Sequence, residues 1–530
     1  MSHDTRHDMG GSLAPGSGMT MSDQVARHAR SIPDAVALRH EGAQLTYLEL
    51  DGRVNRLAHA LRDRGVNNGD RVAVLALNGL EPIETFLACA RLGAICSPLN
   101  FRSVAAEVGY MLGNCGARVL VVDAGLLDVA LEAVTEAPAV LAGLVIGGPA
   151  ATAPTGFDAY ETALATSSAD PIAVAVDERA PAFIMYTSGT TGRPKGAVLS
   201  HYNLYVQTTS RIAHVGLPTE CRTWLVGTPL FHIAAMSAIL PAFLTGGRAV
   251  VTKSGAFDPE QMLDLLARER ISSCFLVPSQ WQAICSVPDI ADRDLSALKM
   301  IAWGAAPAST TLLRKLLEAF PQAQLSTSFG QTECSPITCV LRGEDAARKI
   351  GSIGTPLLNV EVRVVDLDMN DVPPGEVGEI VYRGPSVMTG YWNNPEETAK
   401  AFAGGWFHSG DLVRQDDDGY LYVVDRLKDM IISGGENVYC AEVEDIVAGH
   451  PKVSEVAIVG VPDERWGEVP HAIVVPIHAA DPPTADEIEQ WCRDRLAGFK
   501  CPRKLTVLTE LPRNASGKVR KTDLRVLVRG

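Results

Sequence analysis

Several familiar signatures are missing from this 530-residue chain. Its eleven cysteines form no C-x-x-C pair and no metal-ligand pattern, which excludes a disulfide framework and a zinc ribbon. Reduced thiols in a cytoplasmic protein are the simplest reading. No G-x-G-x-x-G opens a helix, so a dinucleotide fold has no support. The common P-loop, with four residues between its glycines and then Lys-Ser/Thr, is absent as well. The polar N-terminus carries no apolar signal core. The apolar stretch 137–151 is too short to span a bilayer and is broken by Pro138 and glycines. A transmembrane anchor is therefore not expected, which leaves peripheral contact with a membrane surface. Basic residues number 47 against 62 acidic ones, a net charge of −15, which argues against a nucleic-acid binder. No Ser-His-Asp triad or reactive-cysteine setting offers a catalytic centre.

What is present describes a globular enzyme. Hydrophobic residues make up 46% and charged ones 21%. The length calls for several subdomains. From Leu45 to Gly390, apolar strand-like runs such as 71–76, 118–122 and 248–251 alternate with amphipathic helical patterns. That alternation predicts an α/β fold with a mostly parallel sheet. From Val360 to Tyr382 the pattern turns to short strands, predicting a small β-barrel-like region, and the last hundred residues read as a compact α+β unit. The expected division is a disordered tail over 1–22, a large domain over 23–427 and a small C-terminal domain over 428–530. Positive charge gathers near the end. From Trp491 to Gly530, eleven Lys/Arg stand against three acids, a local excess of +8. That segment suits a cationic dock for phosphates or a basic solvated face.

One run is rich in phosphate-binding chemistry: Tyr186-Thr187-Ser188-Gly189-Thr190-Thr191-Gly192-Arg193-Pro194-Lys195-Gly196. It combines small hydroxyls, glycines that expose backbone N–H groups, and a lysine. A buried strand over 182–186 is predicted to feed it. A second short strand at 198–199 follows, and then a helix from His201 to about Ala213 capped by Ser200. Composition alone leaves a polyphosphate cradle and a flexible surface loop as equal readings.

Five later segments accompany the run: Gly304-Ala305-Ala306-Pro307, Phe329-Gly330-Gln331-Thr332-Glu333, Trp406 to Asp411, Asp425 to Asp429, and Pro512 to Lys518. In this order they resemble the motifs of the adenylate-forming (AMP-binding) superfamily, which includes acyl- and aryl-CoA synthetases. The resemblance extends from about Leu45 to Arg525. It implies a two-step ligase using ATP, Mg²⁺ and coenzyme A. A carboxylate attacks the α-phosphorus of ATP and releases pyrophosphate. A thiol then displaces AMP.

Carried onto this chain, the resemblance assigns Thr187, Ser188, Gly189, Thr190, Thr191, Gly192 and Lys195 to the β- and γ-phosphates. Thr332 would reach the α-phosphate, and Glu333 would hold Mg²⁺, which takes one or two carboxylates beside phosphate oxygens. Gly304, Ala305 and Ala306 would approach the adenine, on which Phe329 would stack. Many relatives carry Tyr at that position. Asp411 would accept the ribose hydroxyls, Arg426 would hold ribose or phosphate, and Lys518 would carry the adenylation step. Lys428 would be the hinge about which the small domain turns between half-reactions. Ser433, Gly434 and Gly435 would then line the pantetheine tunnel, with Trp466, Phe499 and Arg503 on the coenzyme A nucleotide. His232, Trp303 and Gly330 would belong to the acyl pocket.

Peptide-synthetase relatives place an acid after the phenylalanine at Phe231, where this chain has His232, and no carrier segment follows Lys518 here. A free-standing acid–CoA ligase is therefore expected, as a monomer or homodimer. In wording it is closest to actinobacterial fatty-acyl-CoA ligases. An aryl or polycyclic acid, or transfer to a separate carrier protein, is the alternative.

Overall fold

The computed structural model describes residues 18–148, 153–172, 174–187, 193–304, 308–343, 345–346, 348–434, 436–513 and 519–529. Ser188, Gly189, Thr190, Thr191, Gly192, Ala305, Ala306, Gly435 and Lys518 lie outside them, as does most of the expected N-terminal tail. The end of that tail is corrected. Met21 and Ser22 stand in the first turn of a helix, Met21–Ser31, because Thr20 and Asp23 form a reciprocal cap at its start.

Packing divides the chain into two compact units. One comprises Met1–Glu361 with Tyr382–Phe407, the other Val362–Val381 with His408–Gly530. The short-stranded region thus groups mainly with the C-terminal part of the chain.

The larger unit holds two mixed sheets. In the eight-stranded sheet, Pro181–Thr187, Ile95–Pro98, Arg71–Leu75, Val119–Asp123 and Ala142–Ile146 run parallel, as expected of strands read as continuous apolar runs. Lys195–Ser200 pairs antiparallel with Pro181–Thr187, so the short strand expected at 198–199 begins at Lys195 and lies beside the strand before the glycine-rich run. In the nine-stranded sheet, Thr223–Val226, Ser273–Phe275, Met300–Gly304 and Gln324–Gly330 are parallel, and Ile337–Leu341 returns antiparallel beside the last.

Local chemistry sets the helix after the hairpin. Ser200 Oγ accepts from Asn203 N–H at 3.1 Å, and Asn203 Oδ1 accepts from Ser200 N–H at 2.8 Å, starting His201–Val215. The Asn203 amide also donates to the carbonyls of Pro385 and Val387, tying this helix to the segment before Tyr391.

The smaller unit is antiparallel in character. Phe407–Gln415 and Leu421–Arg426 belong to a four-stranded sheet. Val453–Asp463 and Gly467–Pro476 form the long hairpin of a five-stranded sheet that packs on the helices Cys440–Ala448 and Lys521–Arg529. Among the described residues no helix is long and apolar enough to cross a membrane.

Candidate functional site

In the larger unit, Thr187, Lys195 and Glu333 come together. Thr187 ends its strand directly opposite Lys195. Its hydroxyl lies 3.4 Å from Glu333 Oε1, which links the two large sheets. Thr332 and Glu333 share the single 3₁₀ turn Thr332–Cys334, and the Glu333 carbonyl is held by Met388 N–H at 2.7 Å. Glu333 is 7% exposed, so its carboxylate needs partners. Tyr391 supplies one, its hydroxyl donating to Oε1 at 2.9 Å. Burial and then the Glu333 charge push the Tyr391 phenol well above its ordinary pKa, so it stays a donor.

Lys195 is held as well. Its ammonium meets Glu397 Oε2 at 2.8 Å and lies 4.8 Å from the centre of the Tyr391 ring. Glu397 sits in the first turn of Pro395–Ala401, a helix capped by Asn394. Hydrogen bonds from Lys195 and Lys400 hold its carboxyl down at about 2. The pair's contribution is therefore complete above the ordinary glutamate range and lost as pH falls toward 2.

The residues expected at the adenine and the acyl pocket lie along the second sheet. The parallel strands Thr223–Val226, Met300–Gly304 and Gln324–Gly330 place the His232 loop, Gly304, Phe329 and Gly330 at their carboxyl ends, where ligands bind in open α/β sheets. His232 Nδ1 accepts from Ala234 N–H at 3.2 Å and caps the turn Ile233–Ala235. The glycines here have packing reasons. A Cβ on Gly304 would fall 2.4 Å from the Ser328 carbonyl oxygen, and one on Gly330 would fall 2.0 Å from that of Pro336. Trp303 is a buried strand residue, 4% exposed.

In the smaller unit two further groups form. Asp411 and Arg426 face each other across paired strands, with Arg426 Nε 2.6 Å from Asp411 Oδ1. Ser433, Gly434, Trp466 and Arg503 gather at the end of the long hairpin. Gly434 N–H donates to the Trp466 carbonyl at 2.8 Å, and the Arg503 guanidinium lies 5.4 Å from the indole centre. A Cβ on Gly434 would come within 2.6 Å of that indole, and its φ is +63°. Phe499 packs at the rim of the small-unit core. Lys428 lies in a turn closed by Asp429 N–H to the Arg426 carbonyl at 2.9 Å, and Arg525 grips Asp429 at 2.7 Å.

In the larger unit, a strand-end hydroxyl, a lysine and a buried carboxylate stand together, a set suited to phosphate oxygens and a cation. Comparison with known proteins decides the matter. The family model for the AMP-binding enzyme matches residues 25–392, and that for its C-terminal domain matches residues 442–518. The chain belongs to this AMP-binding enzyme family. Its relatives include several acid–CoA ligases, and it is an AMP-forming acid–thiol ligase. A feruloyl-CoA synthase of Amycolatopsis sp is 42% identical over 503 residues, covering 94% of this chain and 97% of that protein. A long-chain fatty acid–CoA ligase of Mycobacterium tuberculosis is 36% identical, covering 91% and 93%. Among solved structures, o-succinylbenzoate CoA synthetase from Bacillus subtilis, in complex with its acyl-adenylate, superposes with a TM-score of 0.83. It is 31% identical and covers 96% of this chain and 98% of that one.

Members of this family use ATP, coenzyme A and Mg²⁺. Among the described residues no cluster of three His, Cys, Asp or Glu forms a metal cage. A single buried carboxylate beside hydroxyls is nonetheless what Mg²⁺ accepts when phosphate oxygens complete its shell. The residues present fit the ion.

Tyr391 and Glu397 escaped the sequence reading. The start of the Pro395 helix was readable from Asn394 and Pro395, but neither residue has a local sign of its partner. Tyr391→Phe removes a charge-assisted hydrogen bond of about 1.5–3 kcal/mol from Glu333. The Mg²⁺ concentration for half-maximal pyrophosphate release is expected to rise about tenfold, the low end of that range. An unchanged Mg²⁺ dependence would show that Tyr391 does not orient the carboxylate.

Proposed function

We propose that this chain converts an aromatic carboxylic acid to its acyl-adenylate and then to its coenzyme A thioester. The supporting observation is the 42% identity with a feruloyl-CoA synthase across nearly the full length of both proteins. The o-succinylbenzoate enzyme, with its bound acyl-adenylate, supports the same class. A fatty acid is the second reading, favoured by the M. tuberculosis relative.

In the first half-reaction a carboxylate oxygen attacks the α-phosphorus and the bond to pyrophosphate breaks. Thr187, the hydroxyls and glycines at 188–192, and Lys195 bind the β- and γ-phosphates, while Thr332 binds the α-phosphate. Glu333 holds Mg²⁺, which neutralises phosphate charge when bound. Phe329 stacks on adenine. Asp411, oriented by Arg426, accepts the ribose hydroxyls. Lys518 brings a cation to the carboxylate and α-phosphate as charge shifts between them. In the second half-reaction the thiol sulfur attacks the acyl carbon and AMP leaves. Ser433, Gly434 and Gly435 flank the pantetheine, and Trp466, Phe499 and Arg503 contact the nucleotide of coenzyme A.

The test is acid-dependent pyrophosphate release and thioester formation over a panel of cinnamic, benzoic, arylacetic and fatty acids. Turnover confined to fatty acids would remove the aromatic reading. Lys428 is proposed as the hinge between half-reactions. Proline there fixes φ and restricts Leu427. Lys428→Pro is expected to slow thioester formation from supplied acyl-adenylate about tenfold more than adenylation, the scale of one restricted conformational step. Equal effects on both half-reactions would remove the hinge assignment.

A further inference from the structure

The helix His201–Val215 carries two buried donors that neither the nucleotide nor the coenzyme A reading uses. Gln207 is 3% exposed and Arg211 is 7% exposed. Four residues apart, they lie on one face of the helix. Among the described residues the Gln207 Nε2 amine has no hydrogen-bond partner. Arg211 makes one hydrogen bond, from Nη1 to the Ser237 carbonyl at 2.8 Å. Among the described residues no carboxylate pairs with its guanidinium. Burial alone lowers it to about 10, so it remains a cation at neutral pH. Arg91, comparably buried, shows the usual alternative: it pairs with Asp51 at 2.7 Å. A buried amide without an acceptor, one turn from a buried guanidinium held by a single carbonyl, calls for an explanation.

Their position supplies one. Ser237 is the second residue of Met236–Thr245, the helix that directly follows the His232 loop. On the other side, Ser210 Oγ accepts from the Asn359 amide at 2.8 Å, and the helix packs on Ile337–Leu341, the antiparallel partner of the Phe329 strand. The donors therefore lie in the layer behind the strand ends that carry His232, Phe329 and Gly330.

We propose that Gln207 and Arg211 bind an oxygen acceptor at the end of the substrate acid remote from its reacting carboxylate. The substrate class is then an acid with a distal phenol, methoxy or carboxylate oxygen. A plain hydrocarbon would leave both donors unsatisfied and be rejected. This rests on the acid–CoA ligase reading and narrows the aromatic one.

The experiment compares kcat/KM for two matched pairs with the full-length enzyme: 4-hydroxycinnamate against cinnamate, and 10-hydroxydecanoate against decanoate. Wild type is expected to prefer the oxygenated member by about tenfold or more. Arg211→Met and Gln207→Leu are each expected to lose about tenfold more on the oxygenated member than on its partner. Arg211→Lys should retain part of the preference. Ligand-free Arg211→Met should melt no lower than wild type, because the buried charge it removes has no carboxylate partner among the described residues and costs more than its one bond to the Ser237 carbonyl returns. An absent preference in wild type, or one that persists in both variants, would overturn the proposal and assign the donors to buried water. A melting temperature lowered by several degrees without a change in preference would make Arg211 structural and overturn it too. If neither cinnamate is turned over but decanoates are, the aromatic reading fails, and the decanoate ratio still decides the role of Arg211.

Discussion

Lys518→Ala is expected to lower acid-dependent pyrophosphate release about 10²–10³-fold while sparing thioester formation from supplied acyl-adenylate. In the first half-reaction charge moves from the attacking carboxylate into the phosphate as pyrophosphate departs. A cation aimed at that shift is worth most in the transition state, so its loss falls on kcat rather than on ATP binding. In the second half-reaction the phosphate has become a leaving group, and a thiol attacks carbon. The same cation has no equivalent task there. The two half-reactions must be measured separately, one by pyrophosphate release and the other from synthetic acyl-adenylate. An equal fall in both would refute an adenylation-specific role.

Glu333→Ala is expected to be comparably damaging, about 10²–10³-fold in pyrophosphate release, for a different reason. Glu333 is the buried carboxylate on which Tyr391 and Thr187 converge. Truncation removes the proposed Mg²⁺ ligand and leaves the Tyr391 hydroxyl without its acceptor, at a cost of about 1–3 kcal/mol in stability. Glu333→Gln separates the two effects. Its amide oxygen still accepts from Tyr391, so stability should return toward wild type, while the charge that attracts the cation is gone. Activity should therefore stay low in both variants and the melting temperature should fall in alanine alone. Recovery of activity in Glu333→Gln would show that the carboxylate is an acceptor for Tyr391 and not a metal ligand.

Much of this site could be read along the chain because its chemistry is written in short segments. Ser200 and Asn203 cap their helix within four residues of each other, and side chain–backbone bonds of that range depend on near neighbours. The α/β alternation was readable for the same reason, since buried parallel strands are short apolar runs. The two strands around the glycine-rich run were readable too, but their antiparallel pairing at Lys195 was not. The strand Lys195–Ser200 begins earlier than its apolar residues suggest and turns back along Pro181–Thr187, a choice made by the sheet edge rather than by propensity. Gly304 carries a similar lesson. Its small size looked like room for adenine, yet the neighbouring strand's Ser328 carbonyl already demands it.

The sequence by itself determined the family and the helix starts, because motif order and helix caps are local properties. The tertiary structure alone decided which charges are answered. Glu397 reaches Lys195 across 202 residues and Tyr391 reaches Glu333 across 58. Bringing distant segments together costs little more entropy than bringing near ones, so long-range partners leave no trace in local pattern. The same holds for Arg211. Its sequence neighbours read as an ordinary polar helix face, and the packing of the chain buries it without an acid partner among the described residues.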